Sequence, residues 1–165
     1  VVEAAHAVGV SVEGELGAIG GTEDGLSVSE EDAMLADPDE AIYFWNETKV
    51  DAMAIAVGTA HGIYKKEPKI QLDNIHKVAE SIGVSVVLHG GSGVPDQQIV
   101  DAISMGVGKI NVNTESCVAY TNAVHKYLQA NPDAFDPRAY QGAGREAMKN
   151  IVRNKMQLFG SNSKV

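Results

Sequence analysis

With 165 residues, 44% hydrophobic and 21% charged, the sequence has the balance of one globular domain with a real core. Its 13 basic and 22 acidic side chains leave a formal net charge of −9, which argues against a nucleic-acid groove or an anionic membrane surface as partner. One cysteine, Cys117, excludes an internal disulfide and fits a reducing cytoplasm, and no apolar run approaches the roughly 20 residues of a membrane span.

Val1 to Gly9 reads as a helix tail closed by a glycine, with neither an initiator methionine nor a signal peptide, so a preceding segment is expected. Gly9 to Leu16 reads as a strand. Side chains alternate along it, so Ser11, Glu13 and Glu15 share one face and Val10, Val12 and Leu16 the other, as in a polar barrel interior near its mouth. Gly17 to Ser29 is expected to be a glycine-rich loop. Asp37 before Pro38 is a helix-start signal for a helix to Glu47, followed by a strand from Asp51 to Val57. A helix over Gln71 to Ile82 puts Leu72, Ile75, Val78, Ala79 and Ile82 on one face, and Gly83 ends it before a strand from Val84 to Leu88. Asp96 to Met105 predicts a short helix and Lys109 to Val112 the last strand. Glu115 to Gln129 and Gly142 to Phe159 predict two terminal helices around the breaker-rich NPDAFDPRAY.

Strand-length apolar runs that alternate with amphipathic helices predict a parallel α/β architecture. Four strands cannot close an eightfold barrel and would leave two open edges, so residues 1–165 are expected to form the C-terminal half of a single TIM (β/α)8 barrel domain. A small open sheet is the alternative.

Glu15, His61, His89 and Asn111 follow one another at spacings of 46, 28 and 22 residues, each expected at the C-terminal tip of a successive strand. Active sites of such barrels lie at that face. Zinc binds neutral imidazole, and a catalytic zinc takes three protein ligands and an open position, so His61 and His89, each followed by glycine, are candidate ligands. His6, His76 and His125 fall within predicted helices and read as ordinary helix histidines. In Gly90-Gly91-Ser92-Gly93 the missing Cβ atoms let backbone N–H groups converge on a phosphate, and Ser92 adds a hydroxyl. Asn111-Val112-Asn113-Thr114 reinforces that reading, because the last strand ends of this fold commonly hold phosphate. Lys65 supplies a mobile positive charge, whereas Lys66 and Lys69 read as surface residues.

The segments VEGELGAIGGTEDG, GTAHGIYKKEPKI, VVLHGGSGVP and KINVNTE, with the ending DPRAYQGAGREAM and FGSNSKV, resemble the C-terminal half of a class II, zinc-dependent ketose-bisphosphate aldolase. The resemblance implies reversible cleavage of fructose 1,6-bisphosphate, or its tagatose epimer, to dihydroxyacetone phosphate and glyceraldehyde 3-phosphate. It implies that His61 and His89 are two of three zinc ligands and that Glu15 serves an alternative or second metal position. Gly62, Lys65, Gly90, Gly91, Ser92, Asn111, Val112, Asn113 and Thr114 would hold dihydroxyacetone phosphate, with a sodium or potassium ion assisting. Glu23 matches a mobile glutamate that transfers a proton at the donor carbon, where a solvated loop acid is the plainer reading of the residue alone.

The family's HxDH-like segment, with the remaining zinc histidine and a catalytic aspartate, is not in this sequence, so the resemblance implies that the N-terminal half of the barrel is needed as well. Fructose-specific relatives often carry aspartate where this chain has Asn113, and an arginine near Cys117. Tagatose bisphosphate or another ketose phosphate therefore stays open. The resemblance also implies a dimer or tetramer. The rivals are a metal-independent phosphosugar isomerase and a non-catalytic phosphate-binding or assembly fragment.

Overall fold

A computed structural model describes residues 1–165 except 24, 25, 30–32, 65, 163 and 165, and all described side chains except those of 22, 23 and 26–28. The chain divides into two compact units, Val1–Asn111 and Val112–Val165.

The first unit opens with a short helix α1 (Val2–His6) and is built on four parallel strands, β1 (Glu13–Leu16), β4 (Ala52–Ile55), β6 (Ser85–Leu88) and β7 (Val107–Ile110), in that spatial order. Three helices follow strands as expected. These are α2 (Pro38–Thr48), α3 (Leu72–Ser81) and α4 (Asp96–Ser104). Asp37 caps α2 by accepting a hydrogen bond from the Asp39 N–H at 2.8 Å, ahead of Pro38. The α2 helix stops at Lys49, which takes a left-handed conformation with φ 55°.

Met53 and Ile55 of β4 and Val86 and Leu88 of β6 are fully buried, as are Ala41, Ile75, Val78, Ile99 and Ala102 of the three helices. Alternation then puts the polar side chains of the two edge strands on the other face of the sheet, on either side of buried Ala54 and Val87. The register pairs Glu15 with Ala54, Ala54 with Val87 and Val87 with Lys109, so Lys109 shares a face with Glu13 and Glu15. His89 continues the alternation of Ser85 and Val87 onto that face.

Three expectations for the first unit need correction. Gly17 to Ser29 is not only a loop: β2 (Gly20–Glu23) and β3 (Leu26–Val28) pair antiparallel within it. His61 does not cap the strand that ends at Ile55, because the chain breaks at Gly58 and His61 lies on a separate short strand, β5 (Ala60–His61), parallel to β2. The last strand begins two residues earlier than expected, at Val107, immediately after Gly106 with φ 113°.

The second unit is a helical hairpin of α5 (Thr114–Ala130) and α6 (Pro137–Leu158). Asp136 caps α6 by accepting from the Arg138 N–H, so this helix starts five residues before the expected Gly142. Lys155, near the end of α6, lies 3.0 Å from Glu115 at the start of α5, which fixes the two helices as antiparallel. Gly144 is buried there against the Tyr120 ring.

Candidate active site

The edge-strand carboxylates on this face converge on His89, whose side chain is only 12% exposed. Glu13 Oε1 lies 2.9 Å from His89 Nε2, and the other Glu13 oxygen accepts a 2.7 Å hydrogen bond from Lys109 Nζ. Burial pushes the Glu13 carboxyl up, but the hydrogen bonds from Lys109 and His89 together outweigh it and hold the group below the ordinary glutamate range. An ionised carboxylate only accepts, so Nε2 must carry the proton in this pair.

That leaves His89 Nδ1, which is buried and has no hydrogen-bond partner among the described residues although Glu15 Oε2 stands 3.3 Å away. The separation is within ion-pair reach but the alignment is not that of a hydrogen bond. In the neutral imidazole, Nδ1 is a lone pair facing a carboxylate oxygen. Zinc–nitrogen and zinc–oxygen bonds of about 2.1 Å in tetrahedral geometry place two donors about 3.4 Å apart, so this pair has the chemistry and spacing of a zinc edge. A carboxylate holding the outer nitrogen is the usual support of a metal-binding histidine.

His61 brings a second imidazole to the same place, with ring centroids 5.9 Å apart and planes tilted by 35°. Its position is set by β2. Gly21 pairs with His61 at φ 112°, and a Cβ there would overlap the His61 carbonyl, so only glycine lets the two strands meet. Among the described residues no three His, Cys, Asp or Glu side chains already form a closed cluster.

The glycine turn is drawn to the end of β7. Asn111 N–H donates to the Leu88 carbonyl and Gly91 N–H to the Asn111 carbonyl, both at 3.0 Å, which brings Gly90, Gly91 and Asn111 together. Ser92 is buried beside them in sequence. The Gly91 N–H is thus engaged by the protein. Gly62 turns at φ 97° with open space around it. Val112, Asn113 and Thr114 belong to the second unit, where Asn113 precedes α5 and its Oδ1 lies 3.3 Å from Cys117 Sγ. Glu23 ends β2, but its side chain, like the whole of Lys65, is outside the described residues.

Sequence reasoning placed Glu13 on the right face without giving it a task, and it missed Lys109, Tyr64 and Gln98. Tyr64 bonds to both histidine turns, accepting from the Ala60 N–H and donating to the Gly90 carbonyl, each at 2.8 Å. Gln98 of α4 clasps the segment after them, accepting from Ile70 N–H at 3.1 Å and donating to the Pro68 carbonyl at 2.9 Å. The only available signal was for Lys109, which opens the last predicted strand, three strands on from that of Glu15.

A family model described as "Fructose-bisphosphate aldolase class-II" matches residues 1–164. The chain belongs to the class II fructose-bisphosphate aldolase family. A sulfofructosephosphate aldolase from Alkalicoccus urumqiensis is 44% identical over 164 residues, covering 99% of this chain and 57% of that protein. The crystal structure of the YdjI aldolase from Escherichia coli K12 superposes with a TM-score of 0.79 at 34% identity, over 99% of this chain and 54% of the other. A structure from Coccidioides immitis, provisionally named a fructose-1,6-biphosphate aldolase, gives 0.82 at 26% identity, over 99% of this chain and 56% of that one. The chain therefore spans somewhat more than half the length of these class II aldolase relatives, and its parallel α/β unit is a portion of their barrel.

Proposed function

We propose that the protein is a metal-dependent carbon–carbon lyase that cleaves a ketose phosphate, with His61 and His89 as two zinc ligands and Glu15 at an alternative position for the ion. The single observation that carries this reading is the state of His89: its outer nitrogen is held by Glu13, and its inner nitrogen, buried and unbonded among the described residues, faces Glu15.

A divalent ion held there would stabilise the negative charge that aldol cleavage leaves on the oxygens of the donor fragment. The chain's own residues do the rest. Glu13 keeps the His89 proton on Nε2 and so keeps Nδ1 available. Gly62, Lys65, Gly90, Gly91, Ser92 and Asn111 hold dihydroxyacetone phosphate, assisted by sodium or potassium, with Gly91 and Asn111 shaping the turn because their own N–H groups are given to the Asn111 and Leu88 carbonyls. The parts of Val112, Asn113 and Thr114 in that binding rest on the resemblance alone. Glu23 delivers the proton to the donor carbon.

The distal end of the substrate distinguishes two readings. Fructose-specific relatives often carry aspartate where this chain has Asn113 and an arginine near Cys117, and the 44% identical relative is named for a sulfofructose phosphate. A ketose 1-phosphate with a distal sulfonate is thus a second reading beside fructose and tagatose 1,6-bisphosphates. We further propose that residues 1–165 work as part of one barrel domain, in a cytoplasmic homo-oligomer, with the N-terminal barrel half completing the metal site. No described helix is long and apolar enough to cross a membrane.

The test is release of dihydroxyacetone phosphate from the three ketoses by the chain complemented with the remaining half of the A. urumqiensis relative, with and without chelator. Cleavage that chelator abolishes and zinc restores supports the proposal. No release from any of the three, with zinc in excess, would leave the non-catalytic phosphate-binding reading.

A further inference from the structure

We infer that Tyr64 is a positioning residue that sets the separation of the two imidazoles, because its hydroxyl is bonded to both histidine turns at once. The inference rests on the reading of His61 and His89 as metal ligands.

The Tyr64 oxygen accepts from the N–H of Ala60, the residue before His61, and donates to the carbonyl of Gly90, the residue after His89, both at 2.8 Å. A hydroxyl has one proton to give, so its two roles are fixed: it takes from one turn and gives to the other. The turns are already in backbone contact. Gly90 has φ 67°, and a Cβ on it would stand 2.5 Å from the Ala60 carbonyl oxygen, so no side chain fits between them. The Tyr64 ring itself lies against Gly93, 3.4 Å from where a Cβ would be. Glycine therefore permits the approach, and the phenol ties it at one distance.

Burial raises the phenol above the ordinary tyrosine range, and the Ala60 N–H offsets this only in part. The hydroxyl stays protonated throughout the neutral range and keeps both bonds. His61 and His89 are each one residue from a clasped backbone group, so loss of the clasp frees the hinge on which both rings hang. Their 5.9 Å centroid separation is the quantity at stake.

Tyr64→Phe keeps the ring and removes both hydrogen bonds. In the complemented protein, zinc affinity measured by competition with a chromophoric chelator should fall roughly 10- to 100-fold, the usual effect of losing support behind a metal ligand. The visible absorption of the cobalt(II)-substituted protein should change in position or intensity. A merely structural strut would lower the unfolding midpoint while leaving the zinc affinity of the folded protein and the cobalt spectrum unchanged, and that result overturns the inference. Gln98→Ala, which loosens the neighbouring segment, serves as the control for lost stability alone. If His61→Ala and His89→Ala also leave zinc binding unchanged, the metal reading falls together with this one. Should Tyr64→Phe not fold, 3-fluorotyrosine placed at 64 keeps the hydroxyl. Its fluorine resonance is expected to shift on saturation with zinc, and an unmoved resonance would contradict the role.

Discussion

Glu13 and His89 form a 2.9 Å contact across the parallel sheet, from β1 to the residue that follows β6, and this contact decides which nitrogen of the neutral imidazole carries the proton. Lys109 fixes the far oxygen of the same carboxylate, so the acid is held at both ends.

Glu13→Gln tests the electrostatic part of that arrangement. The amide oxygen can still accept from Nε2, but the charge and the Lys109 pairing are lost. Zinc affinity is expected to fall by about tenfold, and Glu13→Ala by up to about 100-fold, when read by chelator competition. Lys109→Met, which leaves Glu13 charged, is expected to cost less than either.

Gly90→Ala tests the backbone approach. The new methyl meets the Ala60 carbonyl at 2.5 Å in a left-handed conformation, so the turn must open. A loss of roughly 1–3 kcal/mol in urea unfolding is expected, of the size seen for overpacking. Gly62→Ala, in open space, carries only the conformational strain and is expected to cost less.

In the helical hairpin, Gly144→Ala sets two effects against each other. Alanine gains about 1 kcal/mol of helix propensity over glycine. Its methyl would lie 2.6 Å from the Tyr120 ring, and overpacking of that kind costs roughly 1–3 kcal/mol. The clash is expected to win in the native background and to vanish when Tyr120 is also replaced by alanine, which a double-mutant cycle in urea measures.

The first unit carries an acid-sensitive tie at its amino end. Asp51 lies 2.8 Å from the His6 imidazole and accepts from the Val12 N–H at 2.7 Å, and these bonds hold its carboxyl below the ordinary value of 3.8. A depressed folded-state value means that the stabilisation is complete above 3.8 and is lost as pH falls through the lower folded value. Hydrogen exchange at the Val12 amide is therefore expected to accelerate in that acid window. In Asp51→Asn the acid step should be absent.

The parts of this fold that were legible in the sequence are those set by local chemistry. Alternation placed Glu13 and Glu15 on one face, and Asp37-Pro38 gave the start of α2. The same Asp-Pro signal at Asp136-Pro137 was obscured by the surrounding breakers, although its capping geometry is equivalent. Strands β2 and β3 were unreadable because glycines dominate their start and their pairing is with each other and with β5, contacts that no local pattern encodes. Tyr64 was invisible for a similar reason. Its partners Ala60 and Gly90 are backbone groups, and one is 26 residues away. Both histidines were singled out because each precedes a glycine. Which nitrogen His89 offers depends on carboxylates from another strand, Glu13 and Glu15 of β1.

The central claim is that His61 and His89 share one metal ion, and the most direct measurement is the zinc bound per chain in the complemented protein and in its His61→Ala and His89→Ala variants. A single tightly held zinc per chain, lost in both variants while their folds persist by circular dichroism, is the predicted result. Zinc retained at full occupancy in either folded variant would contradict the claim.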